Sequence, residues 1–201
     1  MIDGYIKLAA HKQGTPFHKR PLLLSRERFW IATDEIRMTT DAAIIADLLK
    51  RVTELEARAA IRDLVSDYCH GFDKRDYDRF LSIWSENCVW DIGPPFGRFE
   101  GHAGIHEAIY DVLWPAWGES HHLTTNLRIE FQDDINATSV CDVDCMGALT
   151  GESICTVVGA TYSDTLLRED AGWKILQRDV QIHYFNPIPG AVLSVPEAAP
   201  E

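Results

Sequence analysis

The sequence predicts an α+β domain in which helices come first and a curved, largely antiparallel sheet follows. Three observations predict it. Apolar residues recur at intervals of three and four from Asp41 to Phe72, the period of an amphipathic helix. From His121 to Phe185 the texture changes to long strand-like segments. The breaks between those segments, Asp133-Asp134, Thr150-Gly151-Glu152 and Glu169-Asp170-Ala171-Gly172, are short enough for hairpins, so neighbouring strands run antiparallel. A strongly curved sheet wrapped around helices leaves a hollow on its concave side, and that hollow is the expected pocket.

The elements follow in order. Ile44, Ile45, Leu48, Leu49, Val52 and Leu55 mark a first helix. Ile61, Leu64, Val65, Tyr68, Cys69 and Phe72 mark a second with one buried stripe, ended by Gly71 and the charged run Asp73-Lys74-Arg75-Asp76. A third, shorter helix carries Tyr77, Phe80, Leu81 and Trp84 on its inner face. Residues 88–92 read as a strand stopped by Gly93-Pro94-Pro95. After Gly101 a further helix carries Ile105, Ile109, Val112 and Leu113 and closes at Trp114-Pro115. Strands are expected over 121–131, 138–149, 153–167 and 172–185. Residues 38–190 then form one domain, 1–37 a mobile extension, and 191–201 a tail.

Composition narrows the function. The chain of 201 residues carries a net charge of −12, which argues against nucleic acid and anionic membrane as partners, because phosphates need a basic face. A small, neutral, ring-containing hydrophobic molecule fits better. The first 37 residues stand apart, with seven Lys or Arg against four acids. No stretch approaches the ~20 apolar residues of a membrane span. The five cysteines are odd in number and contain no C-x-x-C pair, so they read as reduced, buried hydrophobes of a cytoplasmic protein.

Two adjacent histidines open the strand at 121–131. Neighbours on a strand face opposite ways. Simple alternation groups His121 with Leu123, Thr125, Leu127, Ile129 and Phe131, which makes it a packed residue whose loss costs stability. His122 falls with Thr124, Asn126, Arg128 and Glu130, on a face that meets either water or a cavity.

Four polar residues sit where the pattern expects burial: Tyr68 within the helical stripe, Asp73 at its end, His122 on the strand and Arg178 in the last strand. An Asp carboxylate that accepts from one imidazole nitrogen fixes the tautomer and makes the other nitrogen a base. An Arg or Tyr nearby stabilises charge on a leaving group. Trp90, Trp114 and Trp117 suit the wall of an apolar ligand site. Competing chemistries are weaker. His102 and His106 share a helical face but lack the metalloprotease glutamate, so a solvated face is expected there and no metal. Asp142 and Asp144 alternate with Cys141 and Cys145 across the two faces of a strand. No phosphate loop and no G-x-S-x-G elbow occurs, so neither a nucleotide cofactor nor serine hydrolysis is supported.

Several blocks together resemble a known family: Arg58-Ala59-Ala60-Ile61-Arg62-Asp63-Leu64, Asp73-Lys74-Arg75, Ser82-Ile83-Trp84, Val112-Leu113-Trp114-Pro115, Thr125-Asn126-Leu127-Arg128, Gly172-Trp173-Lys174 and Tyr184-Phe185. Residues 57–190 are similar to the SnoaL-like family of the nuclear transport factor-like cone fold. The nearest branch contains γ-hexachlorocyclohexane dehydrochlorinase, scytalone dehydratase and the bile-acid dehydratases. The resemblance implies a cofactor-independent lyase with a catalytic pair at Asp73 and His122, an arginine at Arg178, a pocket tryptophan at Trp90, and a homotrimer. It departs from the dehydrochlorinase at Tyr68, where that enzyme has lysine and the bile-acid dehydratases have tyrosine. A phenol can protonate a departing hydroxyl, whereas chloride needs no proton, so a dehydratase is expected. Dehydrochlorination, double-bond isomerisation and a non-catalytic binding or accessory role remain as alternatives.

Overall fold

The computed structural model describes the backbone of residues 26–194 and the side chains of residue 38 and residues 40–194. The expectations for residues 1–25 and 195–201 lie outside the described residues. Two compact units divide between Leu49 and Lys50. The first contributes only helix among its described residues. The second holds the sheet and the site.

The two helices expected before Asp73 are one, α1, running Arg26–Asp73. The joint at Leu55-Glu56-Ala57-Arg58 contains only good helix formers, so nothing breaks it. The stripes on either side of that joint have different fates. Ile61, Leu64, Val65, Tyr68, Cys69 and Phe72 are buried, while Ile44, Ile45, Leu48, Leu49, Val52 and Leu55 are all exposed.

Gly71 does not end α1 as expected; it lies within the helix. A Cβ there would stand 2.8 Å from the Phe80 backbone, so glycine is what lets the short helix α2, Tyr77–Ser82, cross so closely. The stop comes two residues later. Arg75 adopts φ 55, Asp76 N–H donates to the Gly71 carbonyl and Arg75 N–H to the Phe72 carbonyl, the paired bonds of a Schellman turn. A non-glycine residue in this conformation is uncommon. Here the Arg75 guanidinium is tied down by the Trp114 and Trp117 carbonyls.

The six strands are β1 (Trp84–Gly93), β2 (Gly97–Glu100), β3 (Trp117–Phe131), β4 (Asn136–Leu149), β5 (Ile154–Glu169) and β6 (Gly172–Val192). Between β2 and β3 run α3 (Gly101–Glu107), a π-helical turn (Ala108–Leu113) and α4 (Trp114–Ala116). Trp84, expected on a helix, is instead the buried first residue of β1. The sheet order is β2-β1-β6-β5-β4-β3. All pairs are antiparallel except β1 with β6, which places Trp90 beside Arg178 in parallel register. The core collects Ile61, Phe80, Trp84, Trp90, Ile105 and Ile109.

Strand β3 departs from simple alternation. Its pairing with β4 passes from Thr125↔Asp142 to Arg128↔Val140, so β3 carries one extra residue, and Asn126 takes φ 56 within that bulge. A bulge exchanges the two faces. Before it, His122 and Thr124 are half-buried and His121, Leu123 and Thr125 are exposed; after it, Leu127, Ile129 and Phe131 turn inward. His121 is therefore not packed. It lies on the outer surface with a side chain 57 % exposed, 3.5 Å from a Glu119 carboxylate oxygen.

Two substitutions check this. His121→Ala should leave unfolding free energy within about 0.5 kcal/mol of wild type. Gly71→Ala, which forces a methyl into the Phe80 backbone, should cost about 1–3 kcal/mol despite alanine's better helix propensity. Urea unfolding of both proteins measures the contrast, and a larger loss at His121 than at Gly71 would refute it.

Candidate active site

The hollow on the concave face is lined mainly by apolar and aromatic groups, among them Phe72, Trp90, Phe96, Trp117, Val143 and Phe185. Tyr68, His122, Cys145 and Tyr162 are the polar side chains in its wall. It holds about 550 Å³ of space free of atoms, its mouth included. Phe185 on β6 stands 5.9 Å from Phe96 and 6.0 Å from Trp117, ring centre to ring centre, in that wall.

Asp73, the last residue of α1, reaches β3 with both carboxylate oxygens. Oδ1 accepts from the Ser120 hydroxyl at 2.7 Å and lies 2.7 Å from His122 Nδ1. Oδ2 accepts from the His122 backbone N–H at 2.8 Å. A carboxylate 2.7 Å from Nδ1 assigns the ring proton to that nitrogen and leaves Nε2 as an acceptor. Among the described residues Nε2 has no hydrogen-bond partner. The rings of Phe72 and Tyr68 meet the imidazole edge-on at 5.0 and 5.8 Å and hold its plane. Burial on its own would raise the Asp73 carboxyl. The hydrogen bonds and charge of His122, with those of its backbone and of Ser120, outweigh burial and hold the group below the usual carboxylate value.

Tyr68 and Tyr162 form a second polar patch. The Tyr162 hydroxyl donates to the Tyr68 hydroxyl at 3.4 Å. Burial pushes both phenols well above their ordinary value, only partly countered by the charge of Arg178. Both stay protonated, and Tyr68 is a neutral donor.

Arg178 is fully buried but is not in the wall. Its guanidinium lies 4.3 Å from the Tyr68 ring centre and 4.5 Å from that of Tyr162, behind both phenols. Nε and Nη2 pair with the two oxygens of Asp164 at 2.7 and 2.9 Å. The Ser139 hydroxyl donates to the same carboxylate at 3.0 Å. Asp164 and Arg178 are direct cross-strand neighbours on β5 and β6. Desolvation would lower the arginine; the Asp164 charge and hydrogen bonds override it, so the pair is ionic. Nη1 has no hydrogen-bond partner among the described residues.

Of the tryptophans, Trp90 and Trp117 line the hollow and Trp114 does not. The Trp114 indole N–H donates to the Phe72 carbonyl at 3.1 Å, and Arg75 lies over its ring. It props the end of α1. His102 bonds the Trp84 carbonyl oxygen at 3.2 Å, and His106 packs against Tyr77 and Tyr110. All five cysteines are free and buried. Cys145, in the pocket wall, is pushed up to about 12 by burial and by the Asp73 charge, which leaves it unreactive.

Sequence reasoning overlooked Ser120, Ser139, Tyr162 and Asp164. Two of these left a trace. Ser120 is two residues from His122 and so shares its face, and Asp164 is the single acid in the inward set Ala160, Tyr162, Asp164, Leu166.

A curved sheet over helices, an apolar pocket between them and a buried Asp–His pair in its wall define a pocket protein of the cone-shaped α+β class. Residues 53–179 match the SnoaL-like domain, and the chain belongs to that family. Hexachlorocyclohexane dehydrochlorinase 1 of Sphingobium indicum is 35 % identical over 144 residues, covering 72 % of this chain and 93 % of its own. The γ-hexachlorocyclohexane dehydrochlorinase of Sphingobium indicum is 34 % identical over 142 residues, covering 71 % and 90 %. The crystal structure of a type 2 hexachlorocyclohexane dehydrochlorinase superposes with TM-score 0.70 at 34 % identity, over 74 % of this chain and 99 % of that one. A scytalone-dehydratase-like protein of Novosphingobium aromaticivorans, 19 % identical with TM-score 0.63 over 75 % and 99 %, shares the fold.

Because the folded-state value of Asp73 is lowered, its contribution to stability is present above the unfolded value of about 3.9 and is lost as the pH falls through the folded one. Asp73→Asn should be less stable than wild type at pH 7 by about 1–3 kcal/mol, and the gap should close below about pH 4. Urea unfolding from pH 7 to 3 measures it; a gap that does not change with pH would refute the account.

Proposed function

We propose that this protein is a cofactor-independent lyase, a dehydratase acting on an alicyclic or polycyclic substrate. The observation that carries the reading is the Asp73–His122 pair in the wall of an apolar hollow, with the neutral Tyr68 phenol in the same wall. His122 Nε2 takes a proton from a ring carbon, and the imidazolium so formed is stabilised by the Asp73 carboxylate. The electrons of the C–H bond form the double bond, the neighbouring C–O bond breaks, and Tyr68 gives its proton to the departing oxygen. Water leaves, and the proton on His122 restores Tyr68. General-base catalysis of this kind contributes about 10²–10⁴-fold, with positioning in a water-poor pocket supplying the rest.

Arg178 acts from behind Tyr68 and Tyr162, and Tyr162 supports Tyr68 by donating to it. A second reading, elimination of chloride, is favoured by the names of the relatives at 34–35 % identity. Both use the same base and differ only in the leaving group. Returning the proton to another carbon would make the same pair an isomerase.

The test compares 3-hydroxycyclohexanone with γ-hexachlorocyclohexane as substrates. His122→Ala and Asp73→Asn should each lower turnover at least about 10²-fold. Tyr68→Phe should lose at least tenfold on the hydroxyl substrate and less than twofold on the chloride. Turnover of the chloride alone would replace dehydration with dehydrochlorination, full activity in His122→Ala would remove His122 as the base, and turnover of neither substrate by wild type would overturn the lyase reading.

A further inference from the structure

The exposed stripe of α1 is too apolar to be left in water. Met38, Ile44, Ile45, Leu48, Leu49, Val52 and Leu55 are between 48 % and 71 % exposed, and Thr40 and residues 41–56 are all exposed. The same helix buries a different face further on. At 100° per residue, Val52 lies about 180° around the helix from Ile61 and Leu55 about 120° from it, so neither continues the stripe that packs into the core. A single helix in water is marginal even at this length without apolar burial.

The spacing specifies what covers it. Met38, Ile45 and Val52 repeat every seven residues, and Leu48 and Leu55 do the same three residues later. These are the a and d positions of a coiled coil, with β-branched residues at two of the a positions and leucine at the last two of the three d positions, the first being Asp41, and β-branched a with leucine d is the pattern of parallel pairing. In that register Ile44 and Leu49 fall at g and e and widen the apolar seam. Arg51 falls at g and Glu56 at the e position five residues on, so a parallel neighbour of the same sequence places opposite charges across the seam. Asp47, Lys50 and Glu54 fall on the far side. Residues 38–56 carry four acids against two bases, which disfavours an anionic membrane as the occupant.

We propose that residues 38–56 of α1 pair in parallel with the same segment of a second copy of this chain. The association is in register, seats Ile45, Leu48, Val52 and Leu55 against their counterparts, and sets Arg51 of each copy against Glu56 of the other.

The full-length protein is measured by light scattering over a range of concentrations. Wild type should show at least twice the mass of Leu48→Glu/Leu55→Glu, with the variant's melting of the pocket-bearing unit unchanged. Leu48→Cys should form an interchain disulfide under mild oxidation and Asp47→Cys should not, since only the former sits at the seam. Arg51→Glu should weaken association at least tenfold, and Arg51→Glu/Glu56→Arg should restore it. Equal masses for wild type and the double glutamate variant would overturn the proposal, as would cross-linking at Asp47→Cys alone or a charge swap that restores nothing.

Discussion

The Asp73 carboxylate is the constraint on which the rest of the site depends. It joins the last residue of a helix to the middle of a strand through the Ser120 hydroxyl, the His122 backbone and the His122 ring. A carboxylate this buried is costly unless its oxygens are satisfied. Oδ1 has two partners and Oδ2 has one. Every feature that fixes where α1 stops therefore serves this group. Gly71 admits α2, the Schellman turn at Arg75 ends the helix, and the Arg75 and Trp114 bonds lock that turn against β3. Without that stop the carboxylate would not reach the strand, and His122 would lose both its orientation and its proton assignment.

A second buried charge sits one layer deeper and is managed differently. Arg178 and Asp164 neutralise each other through two parallel hydrogen bonds, the strong geometry for such a pair. A pair of this kind adds little net stability compared with apolar packing, yet losing one partner strands the other. Its place behind two aromatic rings gives it a further effect. The guanidinium faces the π-systems of Tyr68 and Tyr162, so its charge is felt in the pocket through the phenols.

Much of this was legible in the chain. The order of helices and strands, the antiparallel meander, and the burial of Tyr68, Asp73, His122 and Arg178 all follow from periodicity and from the placing of polar groups in apolar patterns. Two features escaped for physical reasons. Alternation assumes an unbroken strand, and the bulge at Asn126 exchanges the faces midway. Leu127, Ile129 and Phe131 do point inward, but they say nothing about His121 on the other side of the bulge. His122 was nevertheless assigned to the pocket face, where it lies, because Thr124 and His122 share a half-strand. Nor can periodicity separate a pocket wall from the layer behind it. Arg178 and Trp114 are both buried as expected, yet the one stands behind the phenols and the other under the end of α1. The joining of the two early helices was missed because each stripe is periodic on its own, and only the lack of a breaker between them reveals one rod.

The balance of charge at the far wall bears on the leaving group. A departing chloride needs positive charge and no proton. Here Arg178, behind the phenols, is already paired with Asp164, so the field it projects is that of an ion pair and not of a free guanidinium. A departing hydroxide needs a proton more than it needs charge. Burial keeps Tyr68 protonated far above neutral pH, and Tyr162, donating to the Tyr68 oxygen, leaves the Tyr68 hydrogen free to point elsewhere. Tyr68 is thus a neutral proton donor in the pocket wall, beside the His122 ring. On the side of the proposed base nothing distinguishes the two reactions, since the role proposed for Asp73 and His122 is the same with either leaving group. The proposed preference for oxygen over halogen therefore rests on two phenols, Tyr68 on α1 and Tyr162 on β5, and one neutralised arginine on β6.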